Sequence, residues 1–403
     1  MDWSSYKNIP FQERDRCMIC GALLRRPLLE FPAMPLTEIF TDRKMDGNLG
    51  VLDQELFYCG RCGHAQLKRV VDAEFLYAKP SAYAFRTSRS LTGRQTTDFF
   101  INFMSGAAGA GKFKTLVEVG CNDAYLLSAI KDRAGRLVGV DPVLKNLKTD
   151  ICDEKITLIP ELFENAEIGG KIDAVICKDV LEHAADPAGM LSSLLRKAED
   201  GAWFFVQVPL LDTLAGAGRF DQIFHQHLNY FSVRSFNWML RRLNCEPTGF
   251  TVNREHWGSG LFAFRKAKKN MSAPPGGEHL SAAVIRKRHS LFRKNMALTN
   301  EIVMSMPDKS VYGYGAGLML PILAYHMGND FSCLRGIVDD DPDKDGKYYL
   351  QLPVPVVSGS KAGDLSSSAV LLTAISSRIN VKRILIKLFD LGVRAIIYPL
   401  REI

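Results

Sequence analysis

The chain has no stretch approaching ~20 uninterrupted apolar residues, so nothing in it reads as a membrane span. Its first residues, Met1-Asp2-Trp3-Ser4-Ser5-Tyr6-Lys7, lack the basic-then-apolar layout of a secretory signal, and a cytoplasmic protein is expected. It also lacks a Lys/Arg stripe interleaved with aromatics. The formal charge of +7 is scattered, which disfavours nucleic acid and mildly favours an anionic small molecule such as a phosphate ester. No complete G-x-G-x-x-G fingerprint is present, and no short internal repeat. What remains is ordinary: 403 residues, 47% apolar and 24% charged, too many for one core. Two or three domains follow, with monomer and small homo-oligomer both open.

Of nine cysteines, four form two C-x2-C turns, Cys17-Met18-Ile19-Cys20 and Cys59-Gly60-Arg61-Cys62. Such a turn presents two thiolates from one tight knuckle, and two knuckles complete a tetrahedral zinc site. The separation of Cys20 and Cys59 exceeds that of a compact ribbon, so a loop must be inserted. A closed four-thiolate site has no open position and reads as structural. A redox pair fits less well, because neither turn joins a strand to a helix. His64 follows the second knuckle but is not needed as a ligand. Cys121, Cys152, Cys177, Cys245 and Cys333 stand singly and read as isolated thiols.

Residues 1–70 read as loops and short strands, with Pro27, Pro32 and Pro35 breaking any helix. A regular α/β alternation then begins. Apolar runs at Thr115–Val119, Arg136–Val140, Ile156–Ile159, Ala174–Cys177 and Trp203–Val208 predict strands, with helices at Ala124–Lys131 and Asp186–Lys197. This is the pattern of a parallel, doubly wound sheet. Residues 270–280 read as a linker, followed by an amphipathic segment, Leu280–Met306. A second alternation starts at Lys309–Tyr314, with strands expected at Gly336–Val338, Ala369–Thr373 and Ala395–Tyr398. The expected layout is a zinc-binding cap (1–75), an α/β core (76–270) and a second Rossmann-like domain (271–403).

Glu118-Val119-Gly120-Cys121-Asn122-Asp123-Ala124 closes a predicted strand and opens a helix, where backbone can approach a cofactor closely. Asp141, at the end of the next strand, suits hydrogen bonds to ribose hydroxyls. The fourth strand runs into Asp179-Val180-Leu181-Glu182-His183. With only the first glycine of a dinucleotide turn kept, the E-x-G start, the acid and D-V-L-E-H resemble class I S-adenosylmethionine-dependent methyltransferases.

Taken with the four-cysteine cap, the chain resembles the nucleotide-sugar C-methyltransferases that build branched deoxysugars. Phe224-His225-Gln226-His227-Leu228-Asn229-Tyr230-Phe231-Ser232 is similar to that family's Y-H-E-H-x-x-Y-F-S. Tyr312-Gly313-Tyr314-Gly315-Ala316-Gly317 is similar to its Y-G-A turn, and Val338–Lys347 to D-x-x-P-x-K-x-G-K. The resemblance implies S-adenosylmethionine as cofactor, a structural zinc and a small nucleotide-sugar substrate, methylated beside a keto group through an enolate. It implies His227 as the base and His183 facing substrate or enolate oxygen, with His225, Gln226 and Tyr230 in the same segment. Glu118, Gly120, Asn122, Asp123, Asp141 and Asp179 are expected around the cofactor. Tyr83, in Tyr83-Ala84-Phe85-Arg86-Thr87-Ser88, is expected to close over it; a packing role is the alternative there and for Tyr77.

The chain also departs from the pattern. The tyrosine before H-x-H is Phe224, the glutamate is Gln226, an expected asparagine is Asp179, and the third motif glycine is Ala124. Glutamine holds a neighbour by hydrogen bonding but accepts no proton. His256-Trp257-Gly258-Ser259-Gly260-Leu261-Phe262 lacks the arginine that usually follows such a turn. These changes point to an unusual acceptor or enolisation scheme. O- or N-methylation of a related sugar, and a non-catalytic protein that binds S-adenosylmethionine or a nucleotide sugar, are the alternatives.

Overall fold

Seven strands of the central sheet lie in the order Cys245–Asn253, Ser259–Lys266, Ala198–Pro209, Ile172–Lys178, Phe113–Val119, Ala134–Val140, Ile156–Ile159. Counted along the chain this is 6-7-5-4-1-2-3. The first five strands are parallel, and Ser259–Lys266 enters antiparallel to both neighbours. The computed structural model describes residues 3–45, 49–77, 86–147, 153–256, 258–267, 280–307, 310–375 and 377–400. Tyr83, Cys152, Trp257 and most of the expected linker lie outside these.

The inner strands form because their runs are apolar on both faces. Leu116, Val117, Ala174, Val175, Ile176, Phe204, Phe205 and Val206 are all fully buried, as a sheet covered by helices on both sides requires. One face packs on the helix Leu91–Ala108 through Phe100 and Met104. The other packs on Pro187–Lys197 and Val233–Arg242, and shares its core with the cysteine knuckles. The first helix after the glycine turn, Tyr125–Ala129, is shorter than expected.

A second, all-parallel sheet has the order Val356–Ser358, Ile337–Asp339, Val311–Tyr314, Ala369–Leu372, Ala395–Ile397, the 3-2-1-4-5 arrangement of a doubly wound fold. The amphipathic segment is one helix, Ala282–Met304, capped by the Ser281 side chain, which accepts from Val284 N–H.

The N-terminal segment is less self-contained than the sequence suggested. Its antiparallel sheet, Leu29–Pro35, Val51–Tyr58 and Ala65–Leu67, is completed by Asn229–Tyr230 from the H-x-H segment. Phe40–Thr41 pairs with Tyr348–Tyr349 near the second doubly wound sheet. The cap is therefore paired with a segment from each of the two other α/β units, and its Phe31, Met34 and Leu56 belong to the same core as Phe292 and Ile322.

Within that shared core His326 lies between Phe292 and Phe31, with ring centroids 4.9 Å and 6.2 Å away. Burial pushes its imidazole down to about 3, with nearby Asp221 opposing and His289 and Arg293 adding to the effect. The unfolded chain therefore binds a proton below the usual histidine value that the folded chain does not. Stability falls as pH drops from about 6.5 towards the folded value, by roughly 2 kcal/mol at pH 5 from this residue. The melting temperature is expected to fall between pH 7 and pH 5, and His326→Phe to flatten that decline. A slope unchanged in the variant would remove His326 as its source.

Candidate active site and metal centre

Each cysteine knuckle is built the same way. Gly21 N–H donates to Cys17 O and Gly63 N–H to Cys59 O, both at 2.8 Å, folding the two thiols of each turn to one side. The four sulfurs are buried and lie within 4.8 Å of one another, with Cys17–Cys62 at 3.5 Å and Cys20–Cys59 at 3.4 Å. A disulfide needs about 2.05 Å, whereas bonds of ~2.3 Å to a tetrahedral zinc place sulfurs near 3.8 Å apart. The donor set and its spacing fit zinc. His64 is not among the ligands: its Nε2–H donates to Asn229 Oδ1 at 3.4 Å and its ring packs on Phe231 at 5.0 Å. The knuckles rest on the helix Val233–Arg242, whose Arg242 donates to Ile19 O and Arg234 to Arg61 O.

The glycine turn has the predicted place at the C-terminal end of the central strand. Gly120 has φ +72, and a Cβ there would lie 2.4 Å from Val180 Cγ2. Asn122 and Ala124 also adopt positive φ, which turns the chain sharply as it leaves the strand. Asp141 accepts from Asn122 N–H at 2.8 Å and from Val143 N–H at 2.9 Å. It thereby fixes the turn while each oxygen keeps a lone pair for a hydroxyl. Glu118 is buried beneath, its Oε2 without a hydrogen-bond partner. Burial raises its carboxyl well above the usual range, with Lys178 opposing and Asp141 and Asp123 adding.

Asn122 and Asp123 do more than line the turn. Asn122 Oδ1 accepts from Thr87 N–H at 3.2 Å, and Asp123 Oδ2 accepts from Ser88 N–H at 2.9 Å and Ser88 Oγ–H at 2.6 Å. They dock the serine-bearing segment, expected over the cofactor, onto the glycine turn. Gly120→Ala should abolish binding of S-adenosylmethionine, because a side chain at positive φ costs about 1–2 kcal/mol before the clash with Val180 is met. Calorimetric titration of a variant that keeps its zinc checks this; unaltered affinity would place the cofactor elsewhere.

Asp179, with φ +56, ends the fourth strand. Gln207 Nε2 donates to both its oxygens at 2.9 Å and Lys178 Nζ to Oδ2 at 3.0 Å. Burial opposes ionisation, yet Lys178, His256 and Gln207 together hold the carboxyl below its usual range. Sequence reading gave no sign of Gln207, which lies one strand away.

The structure brings His183 and His227 together, with ring centroids 4.9 Å apart. His183 Nδ1–H donates to Gln226 O at 2.8 Å, which turns Nε2 outwards. Burial lowers both imidazoles, and for His227 the neighbouring His183 lowers it further. The other polar side chains of the segment are each bonded to their surroundings. His225 donates from Nε2 to Met34 O at 3.0 Å and meets Gln54 at Nδ1, anchoring the segment to the cap. Gln226 donates to Thr37 Oγ1 at 2.8 Å. Tyr230 Oη accepts from Phe224 N–H at 3.2 Å and sits 6.5 Å, centroid to centroid, from His227. Asn229 Nδ2 donates to Leu181 O and Ala184 O, and so ties this segment to the post-strand loop.

Two groups here had no assigned role in the sequence reading. Glu182, within D-V-L-E-H, presents a carboxylate oxygen within 4.8 Å of a nitrogen on each of His183 and His227. Arg14 donates to Leu67 O, Ala185 O and Leu228 O, clamping cap, loop and H-x-H segment together. Glu182 could have been suspected from its place beside His183; nothing in the sequence pointed to Arg14. Beside this cluster a cleft of about 340 Å³ opens between His183 and Gln226 on one side and Phe11, Val71 and Leu76 on the other. Among the described residues no helix is long and apolar enough to cross a membrane.

Comparison with known proteins gives matches on both counts. Residues 94–248 match the family model "Methyltransferase domain" and residues 17–77 the model "Putative zinc binding domain". The C-methyltransferase NovU of Streptomyces niveus is 24% identical over 368 residues, 86% of each chain. A ubiquinone biosynthesis O-methyltransferase of Nitrosomonas europaea is 28% identical over 115 residues, 26% of this chain and 48% of that one. The N-methyltransferase NodS of Bradyrhizobium japonicum, solved with S-adenosyl-L-homocysteine, covers 48% of this chain and 96% of its own at 10% identity and a TM-score of 0.36, a superposition too loose to bear on function.

Proposed function

We propose that this chain, an S-adenosylmethionine-dependent methyltransferase with a four-cysteine zinc domain, methylates the carbon beside the keto group of a nucleotide-linked deoxysugar. The observation that carries this reading is the pairing of His183 with His227 next to Glu182, at the mouth of the sheet and beside an open cleft. A carbon acid needs its proton removed and the resulting negative oxygen stabilised, and both tasks fall within reach of this cluster. Likeness to a C-methyltransferase over most of the chain supports carbon as the acceptor atom.

In this reading the glycine turn, Asn122, Asp123 and Asp141 hold the cofactor, with Asp179 near its sulfonium end. The acceptor enters from the cleft where the cap (1–75) meets the core (76–270). The enolate carbon attacks the sulfonium methyl in line, so fixing the two partners supplies much of the rate. Bound zinc belongs to the cap and supplies shape rather than chemistry, since four thiolates leave it no open position.

Incubation with S-adenosylmethionine and a panel of nucleotide-linked 3-keto and 4-keto deoxysugars, read by mass spectrometry and NMR, tests the proposal. A product with a new C–CH3 group is expected. A methyl on oxygen or nitrogen would replace C-methylation, and no product across the panel would reject this substrate class.

A further inference from the structure

We propose that Glu182, His183 and His227 form a second metal centre, a divalent-cation site whose open positions take two adjacent oxygens of the acceptor. Three observations carry it. One carboxylate oxygen and two imidazole nitrogens, from two separate segments, lie within 4.8 Å of one another, close enough to converge on a single ion. Glu182 is 1% exposed and its Oε2 is buried without a hydrogen-bond partner. A buried carboxylate with one oxygen left unpaired asks for a cation. His183 donates from Nδ1 to the Gln226 carbonyl, the outer bond that fixes a metal-binding imidazole and points its other nitrogen at the ion.

The scaffold holds this set in place. The Glu182 carbonyl accepts from Leu228 N–H at 2.7 Å and Asn229 N–H at 3.0 Å, so the strand-end loop and the H-x-H segment are locked in register at the cluster. Two nitrogens and one carboxylate suit Mn2+, Co2+, Fe2+ or Zn2+ better than Mg2+, and leave half an octahedron open. The cleft beside His183 gives a substrate access.

The centre also meets a chemical need. Phe224 has no hydroxyl and Gln226 carries no ionisable proton, so the side chains flanking the pair do little to neutralise an enolate. An ion bound to the keto oxygen and a neighbouring hydroxyl does so directly. With hydroxide as a further ligand, the carbon's proton passes to that hydroxide and leaves as water. The C–H electron pair becomes the enolate, its charge on the ion-bound oxygen. The enolate carbon then bonds to the methyl while the S–CH3 pair returns to sulfur. His227 acts here as a ligand. The catalytic part rests on the proposed C-methylation; the binding part does not.

The test uses the full chain, dialysed until it holds the one zinc of the four-cysteine site, and titrated with Mn2+ by calorimetry and electron paramagnetic resonance. One further equivalent is expected to bind the wild type, at least tenfold more weakly in Glu182→Gln and His227→Ala, with zinc content unchanged as the check on folding. No binding of Mn2+, Co2+ or Zn2+ beyond the first equivalent overturns the site, as does equal binding in both variants. Exchange of the acceptor's α-proton in D2O is then compared with and without Mn2+. Exchange that needs the ion supports its catalytic role, and exchange equally fast without it overturns that role. An ion bound by these residues with no exchange in either state keeps the site and rejects the enolate reading instead.

Discussion

Cys62→Ser is expected to cost the protein its zinc and its fold together. Cys62 is fully buried and its sulfur lies 3.5 Å from that of Cys17, so a serine hydroxyl replaces a soft ligand at a position with no room for a substitute. Structural zinc contributes about 10–16 kcal/mol in small zinc-finger peptides, far above the total stability of an ordinary domain. The consequence reaches beyond the cap. The knuckles share a core with the methyltransferase sheet, and Arg234 and Arg242 bond to their carbonyls. The cap strand Ala65–Leu67 also pairs with Asn229–Tyr230, which follows His227 and Leu228 in the same segment. Loss of zinc should therefore release the active-site segment as well. Elemental analysis with thermal unfolding checks this: no zinc, and insolubility or a fall in Tm of more than ~10 °C. A variant with full zinc and unchanged melting would mean that the metal lies elsewhere.

His227→Ala is expected to lower turnover by about 10²–10⁴, the range for losing the group that takes the proton, or that holds the ion whose hydroxide takes it, while S-adenosylmethionine binds as before. The separation follows from geometry. His227 packs edge-on against His183, ring centroids 4.9 Å apart, whereas the glycine turn is held separately by Asp141, Asn122 and the Thr87–Ser88 segment. His225→Ala should behave differently. Its imidazole bonds the Met34 carbonyl and Gln54 rather than facing the pair, so its loss should act first on stability, by about 1–3 kcal/mol. Steady-state kinetics, cofactor titration and melting of both variants separate the two roles. Equal loss of turnover with equal loss of stability would reduce the H-x-H segment to packing.

The core was legible in the sequence because its inner strands are short apolar runs that end at glycine, aspartate or proline. Thr115–Val119, Arg136–Val140 and Ile156–Ile159 each lie within an observed strand. The antiparallel pair Cys245–Asn253 and Ser259–Lys266 escaped notice, since the second is buried along six successive residues and shows no alternation to read. The helix Leu91–Ala108 begins Leu91-Thr92-Gly93-Arg94-Gln95-Thr96-Thr97, a stretch with little helical propensity that tertiary packing overrides. Asn229–Tyr230 is a two-residue strand whose partner lies far back in the chain, at Ala65 and Gln66, a pairing no local pattern reveals. The site followed the same rule. Knuckles, glycine turn and H-x-H were visible as spacings, but the approach of Glu182 to His227 depends on hydrogen bonds between distant segments.

C-methylation by this route requires that an enolate form. The direct measurement is deuterium uptake at the α-carbon of a nucleotide-linked keto-deoxysugar, incubated in D2O with the wild-type protein and no S-adenosylmethionine. Uptake well above the protein-free rate, lost in His227→Ala, is the predicted result. Methyl transfer to the same sugar with no uptake under any condition would contradict carbon-acid chemistry and leave oxygen or nitrogen as the acceptor.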